Sequence, residues 1–167
     1  CYLPHLADTA ESLVEVSNET KVMNMLGGGV GTFMNIRGAA GKSTGVMAHA
    51  KTYDADIVAY QQQGTRRGAV AVYLRMDHPD IEQFLRARLP GGDDKFKLHK
   101  AYQGVVIPKL FMEKLEALRM GGTTQAEKEE LDKWELKHPA QGVTAVVSVR
   151  ELAQTLISAR IEHQQPY

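Results

Sequence analysis

Twice along this chain a short run of β-branched and aromatic residues gives way, within a few positions, to a proline that opens a stretch of helical periodicity. Ala69 to Leu74 reads as a buried strand, and Asp77 or His78 with Pro79 just inside it starts a helix expected to reach about Leu89. Tyr102 to Ile107 reads as a second strand, after which Pro108 opens an amphipathic helix through Leu110, Met112, Leu115 and Leu118 to Gly121. Proline suits the first helical position because the N–H it lacks would have no partner there and its fixed φ is already helical. Strands and helices that alternate over short connections argue for an α/β arrangement, although three or four strands are fewer than a closed barrel needs.

The remaining elements follow from caps and spacing. Asp8 or Thr9 can cap a helix whose apolar residues Leu13, Val16, Met23 and Leu26 recur at near-helical spacing until Gly27-Gly28-Gly29 ends it. The glycine-rich stretch from Gly27 to Thr44 is expected as a loop whose backbone approaches a ligand closely. Val46, Met47, Ala50, Tyr53, Ile57 and Tyr60 trace one face of a second helix, which runs into the polar loop Gln61 to Gly68 with its cations Arg66 and Arg67. Gly91 to Lys95 is a turn, and Gln125 to His138, with charges around Trp134, is expected as a surface helix. Val143 to Val147 forms a strand or leads directly into a last helix. That helix has Ser148 and Glu151 in capping-box positions and Leu152, Leu156, Ile157 and Ile161 on one face. Residues 1–167 read as one partial domain.

Charge narrows the partners. Twenty basic residues are cancelled by twenty acidic ones, with no long block of either sign, so the electrostatic footprint of a nucleic-acid or anionic-membrane binder is missing. No run approaches the roughly 20 apolar residues of a membrane span, and a cytoplasmic location is expected. The single cysteine, Cys1, cannot form a disulfide within the chain, and the histidines are scattered without metal-ligand spacing.

Short motifs carry less. Gly38-Ala39-Ala40-Gly41-Lys42-Ser43-Thr44 has the glycines, lysine and hydroxyl of a phosphate-binding loop, but the motif's spacing asks for glycine where Ile36 stands. His78-Pro79-Asp80 is sufficiently explained as a helix start. Gly28-Gly29-Val30-Gly31 lacks the acidic residue at the right distance for a dinucleotide fold. Arg66 and Arg67, on a glycine-flanked loop, are suited to phosphate or a base edge.

Taken in order, seven blocks resemble the large, catalytic subunit of ribonucleotide reductase over nearly the whole chain. They are C-Y-L with Asp8-Thr9, G-G-G-V-G at 27 to 31, I-R-G at 36 to 38, and Q-Q-Q-G-T-R-R-G-A-V-A-V-Y-L at 61 to 74. They continue with H-P-D-I-E-Q-F-L at 78 to 85, G-V-V-I-P-K-L-F-M at 104 to 112 and S-A-R-I-E-H-Q-Q-P-Y at 158 to 167. The resemblance implies a ten-stranded α/β barrel, of which this chain would be roughly the first half. It also implies reduction of ribonucleotides to deoxyribonucleotides by a thiyl radical, with two further cysteines supplying the reducing equivalents.

By position, Cys1 resembles the first of that redox pair, and the chemistry fits: a thiol protonates the departing 2′-hydroxyl and afterwards forms a disulfide. Gly29 falls where the family's backbone contacts substrate. Asp8, Thr9 and Ala10 match the start of the helix that binds the allosteric effector, ATP or a deoxynucleoside triphosphate, at a subunit dimer interface. Arg37 and Gly38 match the effector-binding end of the first specificity loop, and Gln62, Gln63, Gly64 and Arg66 fall in the second. A carboxylate such as Asp8 accepts bonds from sugar hydroxyls, and Arg37 neutralises phosphate. The resemblance further implies a homodimer of the complete subunit and a radical generator that this chain does not bind, either a dimetal partner subunit or adenosylcobalamin.

The first loop departs from the family pattern. Only five residues separate Gly31 from Arg37, and an additional arginine found in many members is missing, so effector recognition is expected to be reduced or altered. The partner redox cysteine and the radical cysteine are not in the sequence, and the chain alone, as an internal piece of the subunit, is expected to be inactive. Two rival readings remain: a phosphoryl-transfer protein using Lys42 and Ser43, and a non-catalytic nucleotide-binding fragment.

Overall fold

Thr9 starts the first helix, α1 (Ala10–Met25), by accepting a hydrogen bond from the Ser12 amide at 3.2 Å, which satisfies one of the first-turn donors. The computed structural model describes residues 2–60, 67–91, 93–120 and 124–167. The helix ends where Gly27, at φ 72°, takes the left-handed conformation that lets the chain turn away.

The stretch expected as an unbroken glycine loop contains a strand instead, β1 (Gly29–Phe33). Val30 and Thr32 are buried, while Gly29, Gly31 and Phe33 alternate onto the opposite face. Glycine disfavours strands locally, but a ladder to the neighbouring strand overrides that preference, pairing Gly29 with Ala69 through to Phe33 with Tyr73. Gly31 also leaves room for its neighbours: a Cβ there would lie 3.2 Å from the Tyr73 ring and 2.8 Å from Cδ2 of the exposed Leu3.

The chain continues through α2 (Gly45–Ala59), β2 (Ala69–Arg75), the short α3 (Ile81–Leu85), a 3-10 turn at Asp94–Phe96, β3 (Tyr102–Val106) and α4 (Lys109–Met120). Strands β1, β2 and β3 form one parallel sheet in that order, as the alternation of strands and helices predicts for α/β. The helix after Pro79 is shorter than expected. Asp80 occupies its N-cap position without capping it, because its carboxylate is engaged elsewhere.

The expected surface helix from Gln125 to His138 is two elements: α5 (Gln125–Leu131), closed by a reciprocal Thr124–Glu127 capping box, and β4 (Lys133–His138). In β4 the alternation is strict, with Trp134, Leu136 and His138 buried and the lysines and glutamate between them exposed. A period of two buries one face of a strand, which no helix would do with these residues. β4 pairs antiparallel with β5 (Gly142–Ser148), and α6 (Val149–His163) follows, capped by Ser148. The hairpin is fixed to the body by Trp134 Nε1, which donates to Met76 O at 3.0 Å, by the edge-on contact of its ring with Phe111 at 5.0 Å, and by Lys137 N, which donates to Asp77 O at 2.7 Å.

One face of the parallel sheet is closed. Val30, Val70, Val72 and Leu74 pack there with Met47, Ala50, Tyr53 and Phe84, all 3% exposed or less. The opposite face carries glycines, Ala71 and Tyr73 and stays partly open. At one edge Tyr2 pairs with β1, its N–H donating to Gly29 O and its carbonyl accepting from Gly31 N, both at 2.8 Å. At the other edge Tyr167 does the same to β3, with Gln103 O and Val105 N, both at 2.9 Å. The three named strands are thus flanked by a rudimentary pairing on each side, and among the described residues the sheet does not close into a barrel.

Candidate functional site

Of the residues singled out in the sequence, one group is brought together, beyond the C-terminal end of the parallel strands, while Gly29 stands at their other end. Beyond the C-terminal end of β1, Arg37 reaches back to the start of α1: its Nε donates to Asp8 Oδ2 at 2.8 Å and its backbone N–H to Asp8 Oδ1 at 3.3 Å. Asp8, Thr9, Ala10 and Arg37 line one hollow of about 270 Å³, together with Leu13, Ile36, Lys42, Ser43, Thr44 and His49. Burial lowers the His49 pKa below the ordinary histidine range, so its ring is neutral at pH 7. The lining of the hollow therefore carries two cations, one carboxylate and the hydroxyl side chains of Thr9, Ser43 and Thr44. That set suits a phosphate together with a sugar hydroxyl. Its volume lies just under the roughly 300–1,000 Å³ of small-molecule sites.

The loop carrying Arg37 is held residue by residue from four directions. His78 Nε2 donates to Ile36 O at 2.7 Å, the tautomer being set by Asp80 N, which donates to Nδ1 at 3.0 Å. Burial is the main influence on His78 and pulls its pKa down, only partly offset by the bond to Ile36 and by the charge of Asp80. Arg37 N is taken by Asp8. Gly38 N donates to Gln141 Oε1 at 2.8 Å and Gly38 O accepts from Gln141 Nε2 at 3.2 Å. The Asp80 carboxylate accepts from Ala39 N at 3.0 Å and Val46 N at 2.8 Å, bracketing the whole Ala39–Gly45 turn.

Gly38 is thus beside Arg37 but outside the lining of the hollow, with both its backbone polar groups taken by Gln141. A Cβ at this position would meet Pro79 Cβ at 2.7 Å, so glycine is required here for packing. The lysine of the phosphate-loop-like motif lies on a turn closed by Ser43 N, which donates to Ala40 O at 3.0 Å, with Gly41 at φ 57°. The preceding strand ends at Phe33, five residues before Gly38, so no strand runs directly into this turn.

At the other end of the sheet, Gly29 opens β1 with free space above it: a Cβ there would meet nothing within 4 Å. Tyr2 lies on one side of it, and on the other Ala69 N donates to Gly28 O at 3.3 Å. Tyr2 and Ala69 therefore flank the start of β1. Cys1, Gln62, Gln63, Gly64 and Arg66 themselves lie outside the described residues.

Sequence reasoning did not single out Asp80, His78 or Gln141 as organisers of the site. The first two were visible in the His78-Pro79-Asp80 tripeptide, read as a helix start. Gln141 gave no local signal, because its partner lies 103 positions away. Among the described residues no group of three or more His, Cys, Asp or Glu side chains is placed to hold a metal ion, and no helix is long and apolar enough to cross a membrane.

The family model of the ribonucleotide reductase barrel domain matches residues 1–167. The chain is 40% identical, over its full length, to the ribonucleoside-diphosphate reductase large subunit of Invertebrate iridescent virus 6, of which it covers 17%. It is 34% identical, again over its full length, to the putative large subunit of Frog virus 3 (isolate Goorha), covering 28% of it. It is also 35% identical over 70% of its length to the alpha subunit of Chlamydia muridarum, covering 12% of that protein. The chain thus spans well under a third of the length of these relatives, yet with its parallel α/β sheet and a family match from first residue to last, it belongs to the ribonucleotide reductase large subunits through their barrel domain.

Proposed function

We propose that this chain forms roughly the first half of the ten-stranded catalytic barrel of a cytoplasmic ribonucleotide reductase, holding the substrate ribose at one end of its strands and an allosteric nucleotide at the other. The observation that carries the reading is the hollow in which Asp8, Thr9, Ala10 and Arg37, separated by up to 29 positions in sequence, come together around one ion pair. The relatives are named ribonucleoside-diphosphate reductases, which favours a diphosphate substrate.

Cys1 is the proton donor and reductant in this scheme. After a radical on another cysteine has taken the ribose 3′-hydrogen, the Cys1 thiol protonates the 2′-hydroxyl, which leaves as water. Cys1 and a second cysteine of the complete subunit then give up two electrons to the sugar as a disulfide forms between them, the second thiol's hydrogen ending on C2′, and the cysteine that began the reaction returns its hydrogen to C3′ and regains the radical. Gly29 lets the ribose approach the backbone of β1. Gln62, Gln63, Gly64 and Arg66 pass the identity of the effector base to the substrate. The effector, ATP or a deoxynucleoside triphosphate, lies against Asp8 and Arg37 at the interface of a homodimer, and a separate radical generator activates the subunit.

Turnover by the complete subunit with its radical generator tests the scheme. Cys1→Ser is expected to abolish deoxynucleotide formation while leaving binding of a radiolabelled effector unchanged. Unimpaired turnover in that variant would overturn the assignment. Lys42→Ala is expected to weaken effector binding without stopping turnover at saturating effector; loss of a phosphoryl-transfer activity instead would favour the rival reading.

A further inference from the structure

Arg37 brings a cation to the hollow, yet its own bonds hold it loosely. The side chain is half exposed, and its bond to Asp8 is made through Nε. Its backbone N–H reaches Asp8 Oδ1 at 3.3 Å and its carbonyl accepts from Ser43 Oγ at 3.5 Å, both at the long, weak end of hydrogen bonding. What aims the side chain is therefore the pair of peptide planes on either side of the Arg37 Cα. Peptide units are rigid, and two of them joined at one carbon fix the direction in which its Cβ leaves.

The plane before Arg37 is pinned by the buried His78, whose Nε2 donates to Ile36 O at 2.7 Å. The plane after it contains Gly38 N, which donates to Gln141 Oε1 at 2.8 Å. The next plane contains Gly38 O, which accepts from Gln141 Nε2 at 3.2 Å. One side-chain amide thus clamps both sides of a glycine, a residue whose backbone would otherwise swing freely. Gln141 comes from the turn between β4 and β5, and that hairpin is itself anchored to the end of β2 through Lys137 N on Asp77 O and Trp134 Nε1 on Met76 O. The two pins on the planes around Arg37 therefore share one footing, Met76 to His78. Gln141 is half-buried and is not part of the lining of the hollow.

We propose that Gln141 is a positioning residue for the effector: by fixing Gly38 it sets the direction of Arg37, and so the affinity of the hollow for a nucleoside triphosphate, without touching that ligand. The proposal rests on the reading of the Asp8–Arg37 hollow as the effector site, and the test separates the two.

The complete subunit with its radical generator is titrated with each of the four deoxynucleoside triphosphates by equilibrium dialysis, and activation of turnover is followed with the tightest binder. Gln141→Ala is expected to raise the dissociation constant and the effector concentration for half-maximal activation about tenfold, the effect of losing one or two hydrogen bonds, with turnover at saturating effector at its parent value. Gln141→Met, which fills the space but cannot make either bond, should match Gln141→Ala. Parent affinity in Gln141→Ala, recovery of that affinity in Gln141→Met, or an equal fall in turnover at saturation would each overturn the positioning role. Arg37→Ala shows which idea has failed. If it weakens binding while Gln141→Ala does not, the reading of the hollow stands and this proposal alone is wrong. If it leaves binding intact, or if the parent subunit binds none of the four, the hollow is not the effector site and the proposal falls with it.

Discussion

Asp80 fastens the Arg37 loop from 41 positions away, and it does so with a charge aimed at two backbone amides, one of them buried. Asp80→Ala leaves both donors without an acceptor and should cost about 3 kcal/mol in urea denaturation, most of it the penalty of unpaired amides. Gly45 is constrained by the same carboxylate: at φ 77°, with a Cβ that would fall 2.5 Å from Asp80 Oδ2, it has no tolerable replacement. His78 supplies the pH dependence. Burial holds its pKa below 6.5, so the unfolded chain binds a proton that the folded chain refuses over the range just under that value. Its contribution to stability is complete above about pH 6.5 and is lost as the pH falls through the folded pKa. His49, lowered by burial as well, acts in the same direction. Thermal unfolding between pH 7 and pH 5 should show stability falling with pH, and His78→Gln should flatten that slope; an unchanged slope would contradict a buried, neutral His78.

The β4–β5 hairpin shows how much an element's identity depends on reading the right period. Lys133 to His138 alternates strictly between polar and apolar, a two-residue period that was present in the sequence but masked by the charged helical segment immediately before it. β1 is the reverse case. Its glycines argue locally against a strand, and only the ladder to β2 makes it one. α1 begins and ends where expected because both signals are local, Thr9 at the start and Gly27 at the end, and α2 buries Val46, Met47, Ala50, Tyr53 and Ile57 of its expected face, whereas Leu26 and Tyr60, at the ends of the two expected faces, are exposed. The hairpin turn also delivers Gln141 to both polar groups of Gly38. Gln141→Ala should therefore raise the hydrogen-exchange rate of the Gly38 amide by about tenfold while leaving amides of β2 unaffected, since local opening is governed by local bonds.

Across the whole molecule, the parallel sheet is longer than its three named strands. Tyr2 and Tyr167 each extend the ladder by one residue, on opposite edges, and Gln165 adds a side-chain bond to the buried Gln103 amide at 3.0 Å. Removing residues 164–167 unpairs the backbone of β3 at Gln103 and Val105 and should lower stability by about 2 kcal/mol or more, measured by chemical denaturation. If stability were unchanged, the pairing at that edge would carry no weight. The face carrying Gly31, Ala71 and Tyr73 stays partly open, and the ladder continues at both edges.

By itself the sequence determined the α/β class, the ends of the first helix, the β2 and β3 strands and the family, because caps, short apolar runs and ordered blocks are written in consecutive residues. It also named Asp8, Thr9, Ala10 and Arg37. Only the tertiary structure decided that these four share a hollow with Lys42 and Ser43, that Gly38 is clamped by Gln141, and that a glycine-rich segment is a strand. Each of those facts is a contact between residues roughly thirty to a hundred positions apart, and such contacts are fixed by which faces the packed elements turn toward one another, a property that no local window of sequence contains.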